Sequence, residues 1–310
     1  MARKAEKNKK VGEKGRILFY SLILAFPLLQ FAIFYIGVNM NSFVLAFEKY
    51  DFFNGKYDWA GLSNFQSVLA NIGGGEKFLG TAFKNSILLF AISTVIGCTL
   101  ALLFSYYVYK KQYGSKLFKL ILFMPFVISS IAMVLVYKYF VESAIPALWE
   151  TLFSKEIRGL LSNPDTKFGT ILFFTVWTGF GVQTLIYSGS MSGISDSVVE
   201  AASLDGISQF KEFIYISVPM IFPTISVFLV SSVAGIFVNQ MNIFNFYGLS
   251  PGDYNVYTVG YYLYRQMALP ETSVGDYPYY AAFGLVLTLI TAPVTLLFKW
   301  VLNKCGPNVD

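Results

Sequence analysis

The chain has 310 residues and a formal net charge of +5; 55% of its residues are hydrophobic, 13% are charged, and its mean hydropathy is +0.56. A soluble domain carries about 25% charged residues, so this composition favours lipid rather than water as the solvent. Histidine is absent, which excludes imidazole acid–base chemistry and His-ligated metal sites, and the distant pair Cys98 and Cys305 predicts neither a disulfide framework nor a thiolate metal site.

The first 16 residues form a basic, polar tail. The apolar run behind it is too long for a secretory signal, and no A-x-A cleavage pattern follows. We therefore predict an uncleaved first helix behind a cytoplasmic tail, residues 1–16, that sets the topology and contacts anionic lipid. Nucleic-acid binding is disfavoured because no aromatic residues are interleaved with the basic ones.

Stretches without Asp, Glu, Lys or Arg predict the membrane spans. About 20 apolar residues cross a bilayer, and six such stretches are each long enough for one helix. The stretches are Ile17–Phe47, Asn85–Tyr109, Leu120–Tyr137, Phe168–Ser195, Phe213–Gly252 and Tyr277–Phe298. The sequence predicts an all-α integral membrane protein in which residues 17–310 form a single domain of six transmembrane helices.

The distribution of lysine and arginine predicts the orientation. Cytoplasmic loops carry an excess of these residues, and the loop after the second span has four lysines between Lys110 and Lys119 without an acidic residue. With that loop inside, both termini are cytoplasmic, and the protein is a multi-pass component of the cytoplasmic membrane.

Three longer loops are then extracytoplasmic. They are Glu48–Lys84, Val141–Lys167 and Gly248–Asp276. The second contains an amphipathic piece, Ala144–Phe153, that we predict to lie at the membrane interface. Tyr and Trp favour the membrane–water boundary, so the aromatic residues of these loops are predicted to anchor the helices.

The most informative segment is a cytoplasmic loop, residues 192–219, between the fourth and fifth spans. Ser195 or Ser197 is suited to cap a helix N-terminus, and Ser197 with Glu200 has the spacing of a capping box. A small apolar face is predicted from Val198, Ala201, Ala202 and Leu204.

The same loop is predicted to bend at Asp205-Gly206, a pair typical of helix ends. A second amphipathic piece, Ile207–Ile216, then leads to Pro219 at the start of the next span. The product is a two-part helical projection, a shape suited to docking into a groove on another protein.

The alternative is a helix lying on the inner leaflet. Such a helix needs basic residues on its polar face, and only Lys211 qualifies. The acidic residues are Asp196, Glu200, Asp205 and Glu212. Anionic lipid repels this charge, so a protein partner is favoured.

This segment resembles the E-A-A-x3-G-x9-I-x-L-P signature of the membrane subunits of binding-protein-dependent ABC importers. The matching positions are Glu200, Ala201, Ala202, Gly206, Ile216 and Pro219, with Val218 in place of the leucine. The resemblance implies the type I ABC importer permease fold, in which this loop forms cytoplasmic coupling helices.

The resemblance also implies the partners. They are a dimeric cytoplasmic ABC ATPase, a second homologous permease subunit and an extracytoplasmic sugar-binding protein. The residues that it assigns to ATPase coupling are Glu200, Ala201, Ala202, Asp205 and Gly206.

The chain lacks the G-x4-G-K-[ST] pattern that cradles nucleotide phosphates. Gly55-Lys56 is followed by Tyr57 and lies in an outer loop. We therefore expect a chain that is not an enzyme and binds no cofactor, with ATP and Mg held by the partner ATPase.

Further motifs resemble the sugar-uptake branch of this family, and most of all the larger maltose-type permease. They are Gly61-Leu-Ser-Asn64-Phe65, Phe123-Met-Pro125-Phe and Tyr264-Arg265. A proline common before the coupling helix is replaced by Ser195. The resemblance implies a protein that carries a sugar or oligosaccharide across the cytoplasmic membrane.

Candidate sugar contacts follow from the same resemblance. Trp177, Gly179 and Phe180 match a W-x-G-F element. Ser232 and Asn239 match polar sugar-contacting positions, and Gly179 matches another contact position. Two other contact positions differ, because Val182 stands where an aromatic is expected and Ile236 where an asparagine is.

Helix periodicity and hydrogen-bonding capacity indicate the same residues as sugar contacts. Ser232 and Asn239 are seven residues apart and are predicted to share a helix face, which Asn242 extends. Gln183 is a further candidate, and Trp177 is suited to stack on a sugar ring. The alternative role of these polar groups is hydrogen bonding between helices.

The six stretches contain no charge, which favours a neutral solute. An acidic sugar held by neutral amides remains open. Two other functions also stay open: a permease for a non-sugar neutral solute, and a membrane sensor or scaffold.

Overall fold

The computed structural model describes residues 2–75 and 77–307, with side chains from Gly15 to Gly74 and from Phe78 to Pro307. The side chains of the basic tail before Gly15 therefore lie outside the described residues. The α-helices are α1 (Ala2–Gln30), α2 (Val38–Leu45), α3 (Ser63–Ala70), α4 (Lys77–Ile92), α5 (Cys98–Tyr109), α6 (Ser115–Val127), α7 (Ser130–Tyr139), α8 (Ile145–Phe153), α9 (Pro164–Met191), α10 (Asp196–Leu204), α11 (Gln209–Glu212), α12 (Val218–Met220), α13 (Phe222–Ala234), α14 (Ile243–Tyr247), α15 (Val259–Ala268) and α16 (Tyr277–Cys305).

Short π-helical segments join several of these helices. They are Phe31–Gly37, Asn71–Gly75, Ser93–Gly97, Phe140–Ala144 and Phe213–Ser217, and Tyr254–Val256 is a 3-10 turn. The segments between α1 and α2, α4 and α5, and α7 and α8 keep each pair of helices continuous.

Five helical stretches in the described part of the chain are long and apolar enough to cross a membrane. They are Gly15–Leu45, Phe78–Tyr109, Ser130–Phe153, Pro164–Met191 and Tyr277–Cys305. A bent pair, Gln209–Met220 with Phe222–Ala234, passes the same test, with an angle of 70° at the break. The span count is therefore five, or six if the bent pair is one span.

The predicted third span, Leu120–Tyr137, has the wrong bounds. Ile128 and Ser129 have extended backbone, with ψ of 141° and 132°, and they separate α6 from α7. The helix that is long and apolar enough to span is instead Ser130–Phe153, and Ala144–Phe153 is the end of this helix. The prediction failed because it ended every span at a charge, whereas this helix contains several.

The all-α prediction missed a β-hairpin in the first outer loop. Strand β1 (Glu48–Asp51) pairs antiparallel with β2 (Lys56–Trp59). The Asp51 Oδ1 accepts a 2.8 Å hydrogen bond from the Phe53 N–H, and Gly55 closes the turn with φ of +64°. Strands of four residues are too short to give a clear alternating pattern.

The chain packs as two compact units, residues 2–69 with 273–286 and residues 70–75 and 77–272 with 287–307. In the first unit, the Asn64 Nδ2 donates to the carbonyls of Ala46 at 2.9 Å and Glu48 at 2.8 Å. Phe47 stacks on Trp59 with ring centroids 5.5 Å apart. These contacts join α2, the hairpin and α3.

The second unit has its core between α5, α9 and α13. The core residues are Ala101, Phe180, Tyr187, Met191, Ile194, Ile221 and Ile225. Where α6 crosses α9, a Cβ on Gly181 would lie 2.2 Å from the Leu122 carbonyl oxygen. Only glycine allows the two helix backbones to approach this closely.

Two buried polar side chains of α4 hold the segment that leads into α15. The Asn85 Nδ2 donates to the carbonyls of Asn255 at 2.7 Å and Tyr257 at 2.9 Å. The Ser86 Oγ accepts the Val259 N–H at 3.0 Å. Backbone groups that a regular helix would pair are therefore paired by side chains.

The crossing of α6 and α9 generates a stability prediction. Gly181→Ala is expected to lower the melting temperature of the purified protein by several degrees, because its Cβ meets backbone atoms that cannot rotate away. Thermal unfolding in detergent, followed by tryptophan fluorescence, measures the effect.

Gly189→Ala is the matched control. Gly189 lies on the same helix, and a Cβ there meets nothing within 4 Å. Alanine is favoured over glycine in a helix interior by about 1 kcal/mol, so this variant should be unchanged or more stable. Equal melting temperatures for Gly181→Ala and Gly189→Ala would contradict the described crossing.

Candidate functional site

The predicted cytoplasmic projection ends its first helix, α10, in a Schellman motif. Gly206 has φ of +69°, the left-handed conformation. Its N–H donates to the Ser203 carbonyl at 3.1 Å, and the Ile207 N–H donates to the Ala202 carbonyl at 3.1 Å. The predicted break at Gly206 is confirmed, and its cause is the pairing of these terminal carbonyls.

The start of α10 differs from the prediction. Ser195 is the residue before the helix, and its side chain makes no bond to the helix backbone. Its Oγ lies 3.1 Å from the Ser197 Oγ. The predicted capping box of Ser197 and Glu200 is wrong, because α10 begins at Asp196, before Ser197.

The sequence predicted that the apolar residues of α10 share one face, and this prediction is wrong. Ala202 is buried, and Val198, four residues earlier, packs on the core of the second unit. Glu200 and Ala201 are exposed, and Leu204 is 89% exposed. Leu204 follows Ala202 by two residues, more than half a helical turn, and therefore points away from the core.

The projection carries two exposed apolar side chains that were not predicted from the sequence. Leu204 and Phe210, on either side of Gly206, are 89% and 68% exposed. Their exposure cannot be read from the sequence, because both positions fit an inward-facing pattern. Together with the exposed residues Glu200 and Ala201 they give the projection an apolar and acidic outer surface, which we call the docking surface.

The second part of the projection is clamped to the end of α5. The Lys110 Nζ lies 2.6 Å from the Glu212 Oε1, and Glu212 is buried. The Tyr106 hydroxyl donates to the Gln209 carbonyl at 2.9 Å. Glu212 was predicted to add to the acidic charge of the projection, but this ion pair neutralises it.

A cavity of about 620 Å³ lies within the second unit. Small-molecule sites have volumes of roughly 300–1,000 Å³. The lining residue Ser93 is the sixteenth of 32 in Phe78–Tyr109, and Gly179 is the sixteenth of 28 in Pro164–Met191. The cavity is therefore at half the length of two span helices, the depth at which transporters commonly bind substrate.

Five of the six predicted sugar contacts line this cavity. They are Gly179, Gln183, Ser232, Asn239 and Asn242. Trp177 is not among the lining residues. Its ring packs 6.4 Å from that of Tyr137 and 6.2 Å from that of Phe174, measured between centroids.

Ser232 and Asn239 reach the cavity by a different route from the one predicted. They do not share a helix face, because α13 ends at Ala234 and Asn239 lies in the turn that follows. The Asn239 carbonyl accepts from the Thr258 Oγ1 at 2.8 Å, which holds this turn in position. Asn242, with φ of +55°, precedes α14.

The cavity lining contains several further polar residues that were not predicted from the sequence. These are Ser93, Thr94, Thr175, Thr178 and Ser231. Serine and threonine usually bond to their own helix backbone inside a membrane span, so the residue type alone does not separate a cavity-lining position from a packing one.

The cavity lining is uncharged in the described residues. The span helices do contain charged residues, so the prediction of charge-free spans is wrong. Lys138 and Lys167 lie 5.7 Å and 4.5 Å from the centroid of the Tyr247 ring, and the Lys167 Nζ donates to the Pro251 carbonyl at 2.9 Å. Neither lysine lines the cavity. Among the residues that the structure describes, no group of three or more His, Cys, Asp or Glu side chains is placed to hold a metal ion.

The loop beyond the cavity is held by Tyr261. Its hydroxyl donates to the Gly248 carbonyl at 2.8 Å. Burial raises the pKa of Tyr261 to about 12, neighbouring Tyr257 acts in the same direction, and Arg265 opposes it. The hydroxyl therefore stays a hydrogen-bond donor across the physiological pH range.

Two curated relatives are similar to this chain over most of its length. The Arabinooligosaccharides transport system permease protein AraP of Bacillus subtilis (strain 168) is 23% identical over 293 residues, covering 91% of this chain and 90% of the relative. The Multiple sugar-binding transport system permease protein MsmF of Streptococcus mutans is 24% identical over 272 residues, covering 87% and 90%.

A solved structure has the same fold. It is the bacterial alginate ABC transporter in complex with an alginate pentasaccharide-bound periplasmic protein; one of its chains matches with a TM-score of 0.77 and 19% identity, over 94% of this chain and 96% of that chain. Residues 93–309, more than two thirds of the sequence, match the family described as binding-protein-dependent transport system inner membrane component. The chain belongs to this family of multi-pass inner membrane transport proteins.

Proposed function

We propose that this chain is the permease subunit of an ABC importer that translocates a sugar or oligosaccharide across the cytoplasmic membrane. The observation that carries the proposal is the cavity: it lies at half the length of the span helices, and its lining combines apolar side chains with amides and hydroxyls and contains no charge. Amide and hydroxyl groups match the hydroxyl groups of a sugar. The names of the relatives, arabinooligosaccharide and multiple-sugar permeases, agree with this substrate class.

ATP hydrolysis is proposed to occur on a separate cytoplasmic ATPase. Glu200, Ala201 and Leu204 would contact that ATPase through the docking surface. Asp205 and Gly206 shape the bend behind it, and buried Ala202 fixes α10 to the core. ATPase closure would then move the projection and, through the clamp of Lys110 and Glu212, the end of α5.

The remaining partners are proposed from the family. A second, homologous permease subunit would complete the translocation pathway. A sugar-binding protein would deliver the substrate from outside, as the periplasmic protein in the alginate complex suggests. ATP and Mg would be bound by the ATPase alone.

The proposed topology has six spans and both termini in the cytoplasm. It requires the bent pair, Gln209–Met220 with Phe222–Ala234, to cross the membrane once. With five crossings the C-terminus would lie outside. The loop of Lys110 to Lys119 and the docking surface are cytoplasmic in either case.

The topology prediction uses the exposed Cys305 thiol as a reporter. In intact cells that carry Cys98→Ser, a membrane-permeant maleimide should label Cys305 and an impermeant one should not. Labelling by the impermeant reagent in intact cells, without cell lysis, would assign the C-terminus to the outside and reject the sixth span.

The docking surface generates a second prediction. Leu204→Asp is expected to reduce ATPase activity of the co-purified transporter at least about tenfold, because it puts a charge in an apolar contact. Glu200→Ala should uncouple hydrolysis from substrate. Activity is measured in lipid nanodiscs with the binding protein present, and co-purification of the ATPase is quantified alongside.

Glu271→Ala serves as the control for these variants. Glu271 is an exposed acid in the loop after α15, on the opposite side of the membrane in the proposed topology. It should leave hydrolysis and co-purification unchanged. Wild-type assembly and turnover in Leu204→Asp would remove the docking surface from the proposal.

The cavity generates a third prediction. A panel of arabinotriose, maltotriose, lactose and an alginate trisaccharide is tested for stimulation of ATPase activity. Asn239→Ala and Gln183→Ala should each raise the sugar concentration for half-maximal stimulation about three- to tenfold, the effect of losing one neutral hydrogen bond.

Asn303→Ala is the control, since Asn303 is exposed near the end of α16 and does not line the cavity. Its half-maximal concentration should equal that of the wild type. If no sugar of the panel stimulates hydrolysis while Leu204→Asp still abolishes it, the importer assignment stands and the sugar substrate is dropped.

A further inference from the structure

A π-helical turn interrupts the second span helix beside the cavity. It comprises Ser93–Gly97, between α4 and α5, and the cavity is lined by Ser93, Thr94 and Gly97 from this turn. π-Helical turns within α-helices are frequent at functional sites. This turn lies at the midpoint of the 32-residue stretch Phe78–Tyr109.

The hydroxyl oxygens of Ser93 and Thr94 are buried and have no hydrogen-bond partner among the described residues. Thr99 and Ser232 show the usual arrangement, in which a hydroxyl of a span helix bonds to its own helix backbone. Thr99 Oγ1 donates to the Val95 carbonyl, and Ser232 Oγ donates to the Phe228 carbonyl, at 2.6 Å and 2.9 Å. The two hydroxyls of the π-turn are therefore exceptions that the local helix does not satisfy.

A buried hydroxyl without a partner is unfavourable, so its presence in a native protein needs an explanation, and a bound molecule that supplies the partner is one. The two residues line the cavity that the proposed function assigns to the substrate. They come from the turn between α4 and α5, whereas Gln183 is on α9 and Asn239 follows α13. A solute in the cavity would thus meet polar groups from three separate segments of the chain.

We propose that Ser93 and Thr94 form a second polar wall of the substrate site and hydrogen-bond sugar hydroxyls during translocation. The inference rests on the proposed function. Both hydroxyl oxygens are shielded in this conformation, so each would reach the substrate by side-chain rotation between staggered positions. Because the π-turn carries both residues, one segment contributes two adjacent contacts.

The first experiment measures sugar-stimulated ATPase activity with the panel described above. Thr94→Val and Ser93→Ala should each raise the half-maximal sugar concentration about three- to tenfold. Thr94→Ser, which keeps the hydroxyl, should restore the wild-type concentration. Thr99→Val is the control: Thr99 is on the same helix, its hydroxyl bonds to Val95, and it does not line the cavity.

Thermal stability separates binding from packing. Removing an unpaired buried hydroxyl should leave the melting temperature of Thr94→Val equal to or above that of the wild type. A lowered melting temperature with an unchanged sugar response would instead assign Thr94 to helix packing and overturn the proposal.

The second experiment tests whether the wall faces the substrate. In a Cys98→Ser, Cys305→Ser background, Thr94→Cys should react with a water-soluble methanethiosulfonate, and the stimulating sugar should slow the reaction at least about threefold. Thr99→Cys should show no protection. Reaction at Thr94→Cys without protection by sugar would reject the proposal.

The outcomes distinguish the two levels of inference. A shifted sugar response in Asn239→Ala with a wild-type response in Thr94→Val leaves the proposed function intact and removes the second wall. No stimulation by any sugar of the panel removes the sugar substrate and the second wall together.

Discussion

The structure depends on the requirement that backbone polar groups within a membrane find partners inside the protein. Helices meet this requirement by themselves, and every interruption needs a substitute. The turn after α13 is held by the Thr258 hydroxyl, and the segment before α15 by Asn85 and Ser86. Close backbone contact is the other requirement: a Cβ on Gly260 would lie 2.4 Å from the Val238 carbonyl oxygen. These constraints allow polar, non-helical chain beside the cavity.

Much of the helical architecture could be predicted from the sequence because apolar runs of sufficient length have few alternatives. The break at Gly206 was also predictable, since an Asp-Gly pair favours a left-handed helix end. The break that divides the predicted third span into α6 and α7 could not be predicted from the sequence. Ile128 and Ser129 form an extended break with no charge, proline or glycine at either position, while the neighbouring helix Ser130–Phe153 includes charged residues. Tertiary packing decides both features.

The candidate site was predicted by residue type better than by geometry. Ser232 and Asn239 line one cavity, but the helical periodicity that linked them is absent, because α13 ends between them. Ser93 and Thr94 could not be found at all from the sequence. A π-turn leaves no pattern in residue types, and hydroxyls in membrane helices normally bond to their own backbone. Trp177 was predicted from its residue type to stack on a sugar ring, but it packs against the rings of Tyr137 and Phe174 instead.

The helix from α4 to α5 joins the two parts of the candidate site. Near its C-terminal end, Lys110 is paired with Glu212 of the projection, and the Tyr106 hydroxyl donates to the Gln209 carbonyl. At its midpoint, the π-turn Ser93–Gly97 lines the cavity. A displacement of the projection would therefore act on a helix whose midpoint borders the cavity, and the π-turn is the point where that helix departs from α-helical geometry. Because the projection and the cavity both contact the same helix, the proposed coupling between them needs no additional chain of contacts.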